Sequence, residues 1–165
     1  MIINFPNILK AAMCSIALFL ISTSYAQKET IGKAVYVEAG GAGLLSINYD
    51  MRVTNSQGGL GFRAGFGGWS LKNSKAVFVP LGLNWITSKN KKDYFEAGAG
   101  GTIVSNSNTS AERTSPFYKS FGWLNLGYRR QPAEGGLFWR ATLVPIFGSG
   151  YFWPYWVGGS VGYTF

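Results

Sequence analysis

The chain has 165 residues, with 15 Lys and Arg against 7 Asp and Glu and a formal net charge of +8 at pH 7. It contains a single cysteine and no histidine. These counts exclude an intramolecular disulfide, catalysis by a histidine base and the usual zinc sites. The basic residues are scattered apart from Lys89, Lys91 and Lys92, whereas a nucleic-acid-binding protein concentrates them on one face. We therefore expect no nucleic-acid partner.

The first 26 residues have the pattern of a secretory signal peptide. A short leader with one lysine precedes an apolar run at residues 11–22, and Ser24 and Ala26 are small residues at positions −3 and −1 of a cleavage site. The run covers about a dozen residues, whereas a membrane-spanning helix needs roughly 20. The sequence predicts a cleaved signal peptide at residues 1–26 and one domain at residues 27–165. An uncleaved N-terminal anchor is the alternative.

The rest of the chain alternates apolar with small or polar residues, and a period of two is typical of β-strands. The alternation is clearest in residues 44–53, where the apolar members are Leu45, Ile47, Tyr49, Met51 and Val53. It recurs in seven further segments, at residues 33–41, 60–71, 76–86, 94–104, 117–130, 137–147 and 153–165. No helical segment separates them. The sequence predicts an all-β, eight-stranded antiparallel up-and-down barrel, with an irregularity at Pro80, which has no N–H to donate.

The composition of the two faces indicates which one is inside. The polar face is rich in Gly, Ser, Thr and Asn, and its charged members are Glu38, Asp50, Arg52, Arg63, Glu96, Arg129 and Arg140. Such a face has few charged residues for a surface exposed to water. It suits the narrow interior of an eight-stranded barrel, which is filled by side chains. Arginine and carboxylate groups pair well there. We expect a transmembrane barrel whose apolar face contacts lipid and whose lumen holds these seven residues as a structural polar network.

Large aromatic residues lie mostly near the strand ends. They are Trp69, Trp85, Trp139, Trp153, Tyr49, Tyr128, Tyr155 and Tyr163. Rings at these positions suit the aromatic girdles that mark the two membrane interfaces of a transmembrane barrel.

Parts of this pattern also fit other functions. A secreted soluble lipocalin-like barrel that binds a hydrophobic ligand is the main alternative, because alternation alone does not say which face is inside. The three acids of the polar face could act as catalytic carboxylates, but an unpaired charge in such an interior costs several kcal/mol, which favours ion pairing. Ser46 and Ser160 lack a histidine to activate them, and the glycine-rich segments 65–68 and 98–101 lack the lysine of a phosphate loop. We expect no catalytic residue, no cofactor and no metal site.

Several segments resemble the strands of a known family. Residues 36–43 and 46–52 are similar to the opening hairpin of small outer-membrane β-barrel proteins of Bacteroidetes-type bacteria. Residues 79–84, 94–100 and 160–165 resemble later strands of that family, in the same order. The resemblance implies an OmpA/OmpX-like barrel in the bacterial outer membrane, with a structural or surface-interaction role. The family commonly has Glu where Asp50 stands, so this position departs mildly from its pattern.

The resemblance also implies partners and a topology. It implies contact with outer-membrane lipid and insertion by the barrel assembly machinery, which reads a terminal aromatic residue such as Phe165. Both termini would face the periplasm, together with the connections at 54–59, 87–92 and 131–136. The connections at 41–43, 72–75, 105–116 and 148–152 would face outside. The family carries no shared enzymatic activity, and the sequence does not identify a ligand of the outer loops.

Overall fold

The computed structural model describes residues 32–53, 56–71, 74–106 and 116–165. The predicted signal peptide, residues 1–26, lies outside the described residues. Nearly all of the described chain is strand: β1 (Lys33–Gly40), β2 (Leu44–Arg52), β3 (Gly59–Leu71), β4 (Ser74–Thr87), β5 (Asp93–Asn106), β6 (Phe121–Arg130), β7 (Gly136–Leu143), β8 (Ile146–Gly148), β9 (Tyr151–Trp153) and β10 (Val157–Thr164). A 3₁₀ turn, Pro116–Tyr118, precedes β6. Across these ranges, no helix is both long and apolar enough to span a bilayer.

The strands form one closed antiparallel sheet. The order β5-β4-β3-β2-β1-β10-β7-β6 is completed by pairing between β5 and β6. The short strands β8 and β9 extend the hairpin between β7 and β10, and β8 pairs with the first residues of β6. Counting β7 with β8 and β9 with β10, the barrel has eight strands. The predicted all-β, eight-stranded antiparallel barrel is confirmed.

Prolines interrupt the strands in ways that the alternation only partly predicted. The ladder between β3 and β4 passes from the Ala64–Leu81 pair to the Gly67–Phe78 pair, so the irregularity predicted at Pro80 is present. Two segments predicted as continuous, 137–147 and 153–165, are each broken, after Leu143 and before Val157. Pro145 and Pro154 lie in these breaks, and a proline cannot donate to a strand ladder.

The barrel has the polarity of a membrane protein, with charged groups inside and apolar groups outside. Large apolar side chains are exposed along the strands, among them Ile47, Phe66, Leu83, Leu137 and Val161. The inward positions of the same strands carry buried polar and charged groups. Because the sheet is closed, its backbone groups are paired without a free edge, as a hydrocarbon environment requires.

The interior changes character towards the end opposite the chain termini. A cluster of buried residues closes that end, with Phe117 and Trp156 packed against it; we call this group the apolar cap: Ala42, Phe121, Trp123, Val144 and Ile146. The indole of Trp156 donates to the Gly41 carbonyl oxygen at 2.8 Å and ties β10 to the β1–β2 turn. The cap lies at the end of the barrel that carries the β1–β2 turn, beyond the charged part of the lumen.

One predicted member of the aromatic girdles lies inside instead. Trp69 packs against Phe78, with 4.8 Å between the ring centroids, and Phe78 is fully buried. The expectation that Trp69 faces lipid is therefore wrong. Trp85 and Trp139 do project outward, and Trp139 contacts Tyr128 with a centroid distance of 5.0 Å.

Candidate functional site: the charged barrel interior

Alternation along six strands brings the seven charged residues of the polar face into the lumen. They come from β1, β2, β3, β5, β6 and β7, and each is at most 2% exposed: Glu38, Asp50, Arg52, Arg63, Glu96, Arg129 and Arg140. The inward parity places Asp50 opposite Arg63 across the β2–β3 ladder. It also places Arg129 opposite Arg140 on β6 and β7. Like charges in directly opposed positions destabilise a sheet, so this last pair needs a carboxylate nearby.

Glu96 and Glu38 provide the negative charge that Arg140 and Arg129 need. Glu96 accepts from Arg140 Nη1 at 2.9 Å and from Arg129 Nη1 at 3.4 Å. Arg140 Nη2 donates to Glu38 at 2.8 Å, and Glu38 also pairs with Arg63. Each of the two glutamates therefore bridges two arginines.

Asp50 completes the arrangement. It accepts from Arg129 at 3.0 Å and 3.1 Å and pairs with Arg52. The seven groups thus form one linear series of alternating charge, which we call the ion-pair chain: Arg63, Glu38, Arg140, Glu96, Arg129, Asp50 and Arg52. An arginine stands at each end of it.

Three asparagines, which were not among the predicted site residues, hydrogen-bond to members of the ion-pair chain. Asn125 donates to Glu96 at 2.8 Å, and Asn48 accepts from Arg63 at 3.1 Å. Asn84 donates to Asp50 and accepts from Arg52. All three lie on the inward parity, which is the sequence feature that marks them. Buried amides are well suited to this place because each both donates and accepts.

Aromatic rings fill the space between the guanidinium groups. The Arg140 Cζ lies 4.7 Å from the ring centroid of Tyr36, and the Arg129 Cζ lies 4.8 Å from that of Phe138. Tyr36 and Phe138 stack on each other at 4.9 Å. The attraction of a cation to a ring face strengthens when both are desolvated, so these rings contribute to holding the arginines in place.

Glycines on the inward face leave room for the long arginine side chains. A Cβ at Gly61 would lie 2.2 Å from the Arg52 Cζ. At Gly82 and Gly100 it would lie 2.3 Å and 2.4 Å from ring carbons of Trp123. The interior is thus packed with side chains.

The chemistry of the interior is that of charge neutralisation. Each carboxylate is shared by two arginines, and the candidate nucleophiles are occupied: Ser46 Oγ accepts from Asn48 at 2.8 Å and Ser160 Oγ accepts from Arg140 at 3.4 Å. Within the ranges that the structure describes, no group of three or more His, Cys, Asp or Glu is arranged to hold a metal ion. What the arrangement does is link strands that are distant in sequence.

The soluble alternative is not favoured by this geometry. A lipocalin-like carrier would bury its apolar face around a ligand and expose its charged face. Here the charged face is buried and the apolar face is exposed, which is the reverse arrangement.

Replacing Glu38 by Ala is expected to destabilise the barrel strongly. The change removes the carboxylate between Arg63 and Arg140, which leaves the buried Arg63 without a carboxylate partner and Arg140 with Glu96 only. Breaking a buried ion pair typically costs about 3–5 kcal/mol. Heat-modifiable gel migration of the refolded protein gives the unfolding midpoint. Glu134→Ala, in an exposed turn, is the control. Equal unfolding midpoints for both variants would contradict a stabilising role of the ion-pair chain.

Replacing Gly61 by Ala is expected to lower stability as well. The added methyl group occupies the place of the Arg52 guanidinium, which has to move away from Asp50. Overpacking of this kind costs about 1–3 kcal/mol. Gly159→Ala is the matched control because a Cβ there meets nothing within 4 Å. The two variants are compared by urea titration of the refolded protein, and the idea fails if Gly61→Ala unfolds at the same urea concentration as Gly159→Ala.

The comparisons with known proteins agree with this architecture. No protein-family model matches the chain, and no curated protein sequence matches it. Two solved structures share its fold. The N-terminal β-barrel domain of Pseudomonas aeruginosa OprF aligns with a TM-score of 0.56 and 11% identity, over 81% of this chain and 96% of that one. The Yersinia pestis outer membrane protein Ail aligns with a TM-score of 0.51 and 11% identity, over 82% of this chain and 100% of that one. The chain therefore has the fold of a small outer-membrane β-barrel, of the OmpA/OmpX-like type.

Proposed function

We propose that the chain is an integral β-barrel of the bacterial outer membrane, with a structural or surface-interaction role and no catalytic activity. The observation that carries the proposal is the reversed polarity of the barrel. Seven charged side chains are buried in the lumen, while large apolar side chains cover the outside. In water such an outer surface drives aggregation, since monomeric soluble proteins rarely expose large contiguous apolar patches. Against lipid it is the favourable arrangement.

Other features support the membrane location. Residues 1–26 have the pattern of an export signal. OprF and Ail share the fold, and the structure of Ail was determined in a phospholipid bilayer nanodisc. The resemblance of the strand sequences points to barrels of Bacteroidetes-type bacteria.

The absence of catalysis is inferred from how the polar groups are used. An acid–base pair needs a carboxylate free to take or give a proton, whereas the three lumen carboxylates are each held by two guanidinium groups. The apolar cap separates them from the outer loops.

A surface-interaction role is supported by the β8–β9 hairpin. Phe152 in β9 is 65% exposed and Tyr155, in the turn that follows β9, is 80% exposed. No charged residue follows Arg140 in the sequence. An uncharged aromatic surface of this kind suits contact with lipid headgroups or with a partner at the cell surface. In the topology that the family resemblance implies, this hairpin is on the outer side.

The membrane location is tested by fractionation and refolding. We expect the full-length chain, expressed in a Gram-negative host, to be recovered in the outer-membrane fraction. The purified barrel is expected to migrate faster on a gel when unheated, and to refold in detergent micelles. A chain that refolds to a stable monomer in buffer without detergent would overturn the membrane assignment.

We also propose that Phe165 is the residue read by the barrel assembly machinery. Its backbone N–H donates to the Lys33 carbonyl oxygen at 3.1 Å, while its side chain remains exposed at the barrel rim. We expect Phe165→Ala to reduce the amount of folded barrel in the outer membrane of cells several-fold, with the unfolding midpoint of the purified protein unchanged. Phe152→Ala, also an exposed aromatic, is the control. Equal amounts of folded barrel for both variants would contradict the assignment of Phe165.

A further inference from the structure

We propose that the barrel interior binds one small monovalent anion, of the halide class, beside Arg63. The inference concerns the lumen and does not depend on the membrane location or the surface role. It starts from a charge count: among the residues that the structure describes, the buried charged side chains are four arginines and three acids, which leaves +1 (4 − 3). A guanidinium group does not lose its proton in a protein. The excess charge therefore needs a counter-charge, because an uncompensated ion is strongly unfavourable in a low-dielectric interior.

The position of the excess follows from the order of the ion-pair chain. Arg129 and Arg140 each contact two carboxylates, whereas the end members Arg63 and Arg52 each contact one. Arg52 is compensated further by the amide oxygen of Asn84 and by the Gly59 carbonyl oxygen at 3.1 Å. Among the described residues, Arg63 has one further hydrogen-bond acceptor besides its carboxylate, the amide oxygen of Asn48, and it lies over the Trp123 and Tyr36 rings. Arg63 is therefore the less compensated end.

Arg63 carries one unsatisfied donor and lies close to two rings whose polar atoms are also unsatisfied. Its Nε–H is buried and has no hydrogen-bond partner among the described residues, which is also true of the Nε–H groups of Arg52 and Arg129. The same holds for the Trp123 Nε1–H and the Tyr36 hydroxyl, and these two rings have their centroids 5.2 Å and 5.9 Å from the Arg63 Cζ. Guanidinium and indole N–H groups donate and do not accept. Their missing partner is therefore an acceptor.

The charge count distinguishes an anion from a water molecule. A water would satisfy the donors but would leave the interior at +1, whereas one monovalent anion satisfies both requirements. A divalent anion would reverse the sign of the interior. The nearest carboxylate, Glu38, is already shared between Arg63 and Arg140, and the Arg140 Cζ also lies 4.7 Å from the ring centroid of Tyr36. The electrostatic environment beside Arg63 is therefore positive.

Bromide serves as the probe in two experiments. In crystals of the detergent-solubilised protein grown with sodium bromide, we expect an anomalous peak in contact with Arg63 Nε and Trp123 Nε1. A water or a carboxylate of the chain at this place would overturn the proposal. In solution, we expect the thermal unfolding midpoint to be higher by about 5 °C or more in bromide than in gluconate at equal ionic strength, and to rise with bromide concentration as ligand linkage requires.

Variants separate a local site from a general salt effect. Arg63→Gln is expected to abolish the difference between bromide and gluconate. Trp123→Phe keeps an aromatic ring at this position and removes the indole N–H donor, so it is expected to reduce the difference by half or more. This variant tests the site if Arg63→Gln does not refold. Arg130→Gln is the control, since the Arg130 side chain is 51% exposed. A parent protein with equal midpoints in the two salts, or variants with an undiminished difference, would contradict the site.

Discussion

Charge alternation in the lumen is the constraint on which the rest of this barrel depends. Four guanidinium groups and three carboxylates are packed out of reach of bulk solvent, and their desolvation is tolerable because each carboxylate lies between two cations. This alternation of charge determines which residue types suit the neighbouring inward positions. Asparagines hydrogen-bond to the charged groups, aromatic rings lie over two of the guanidinium groups, and the lack of a side chain at Gly61 leaves room for Arg52. Size, charge and hydrogen bonding together account for these inward residues.

Each strand must place apolar side chains on the outside of the barrel and polar or charged side chains on the inside. A strand such as β2 presents Ile47 to the outside and Asp50 to the inside, so a shift of register by one residue would place charges in lipid and apolar groups among the arginines. Few alternative pairings satisfy both faces. The two-faced pattern therefore specifies the register more firmly than backbone hydrogen bonding does.

Much of the fold follows from sequence, because a period of two assigns each residue of a strand to a face. That argument identified the seven charged residues, all of which are buried, and the number of barrel strands. It did not give the order in which the charged groups alternate in the ion-pair chain, since this order depends on how neighbouring strands are staggered around the barrel. The alternation also did not reveal that the interior becomes apolar at one end, where the apolar cap lies and where the partly buried Trp69 packs against Phe78.

The pairing of β1 with β10 joins the two ends of the described chain, from Ala34 opposite Thr164 to Gly40 opposite Gly158. The ion-pair chain spans similar distances in sequence, since Glu38 meets Arg140 and Asp50 meets Arg129. Without β10 the sheet has open edges and an exposed charged face, neither of which hydrocarbon tolerates. Closure removes both obstacles at once. We therefore expect folding and entry into the bilayer to be coupled, and a chain that stops short of β10 to have no stable place in the membrane.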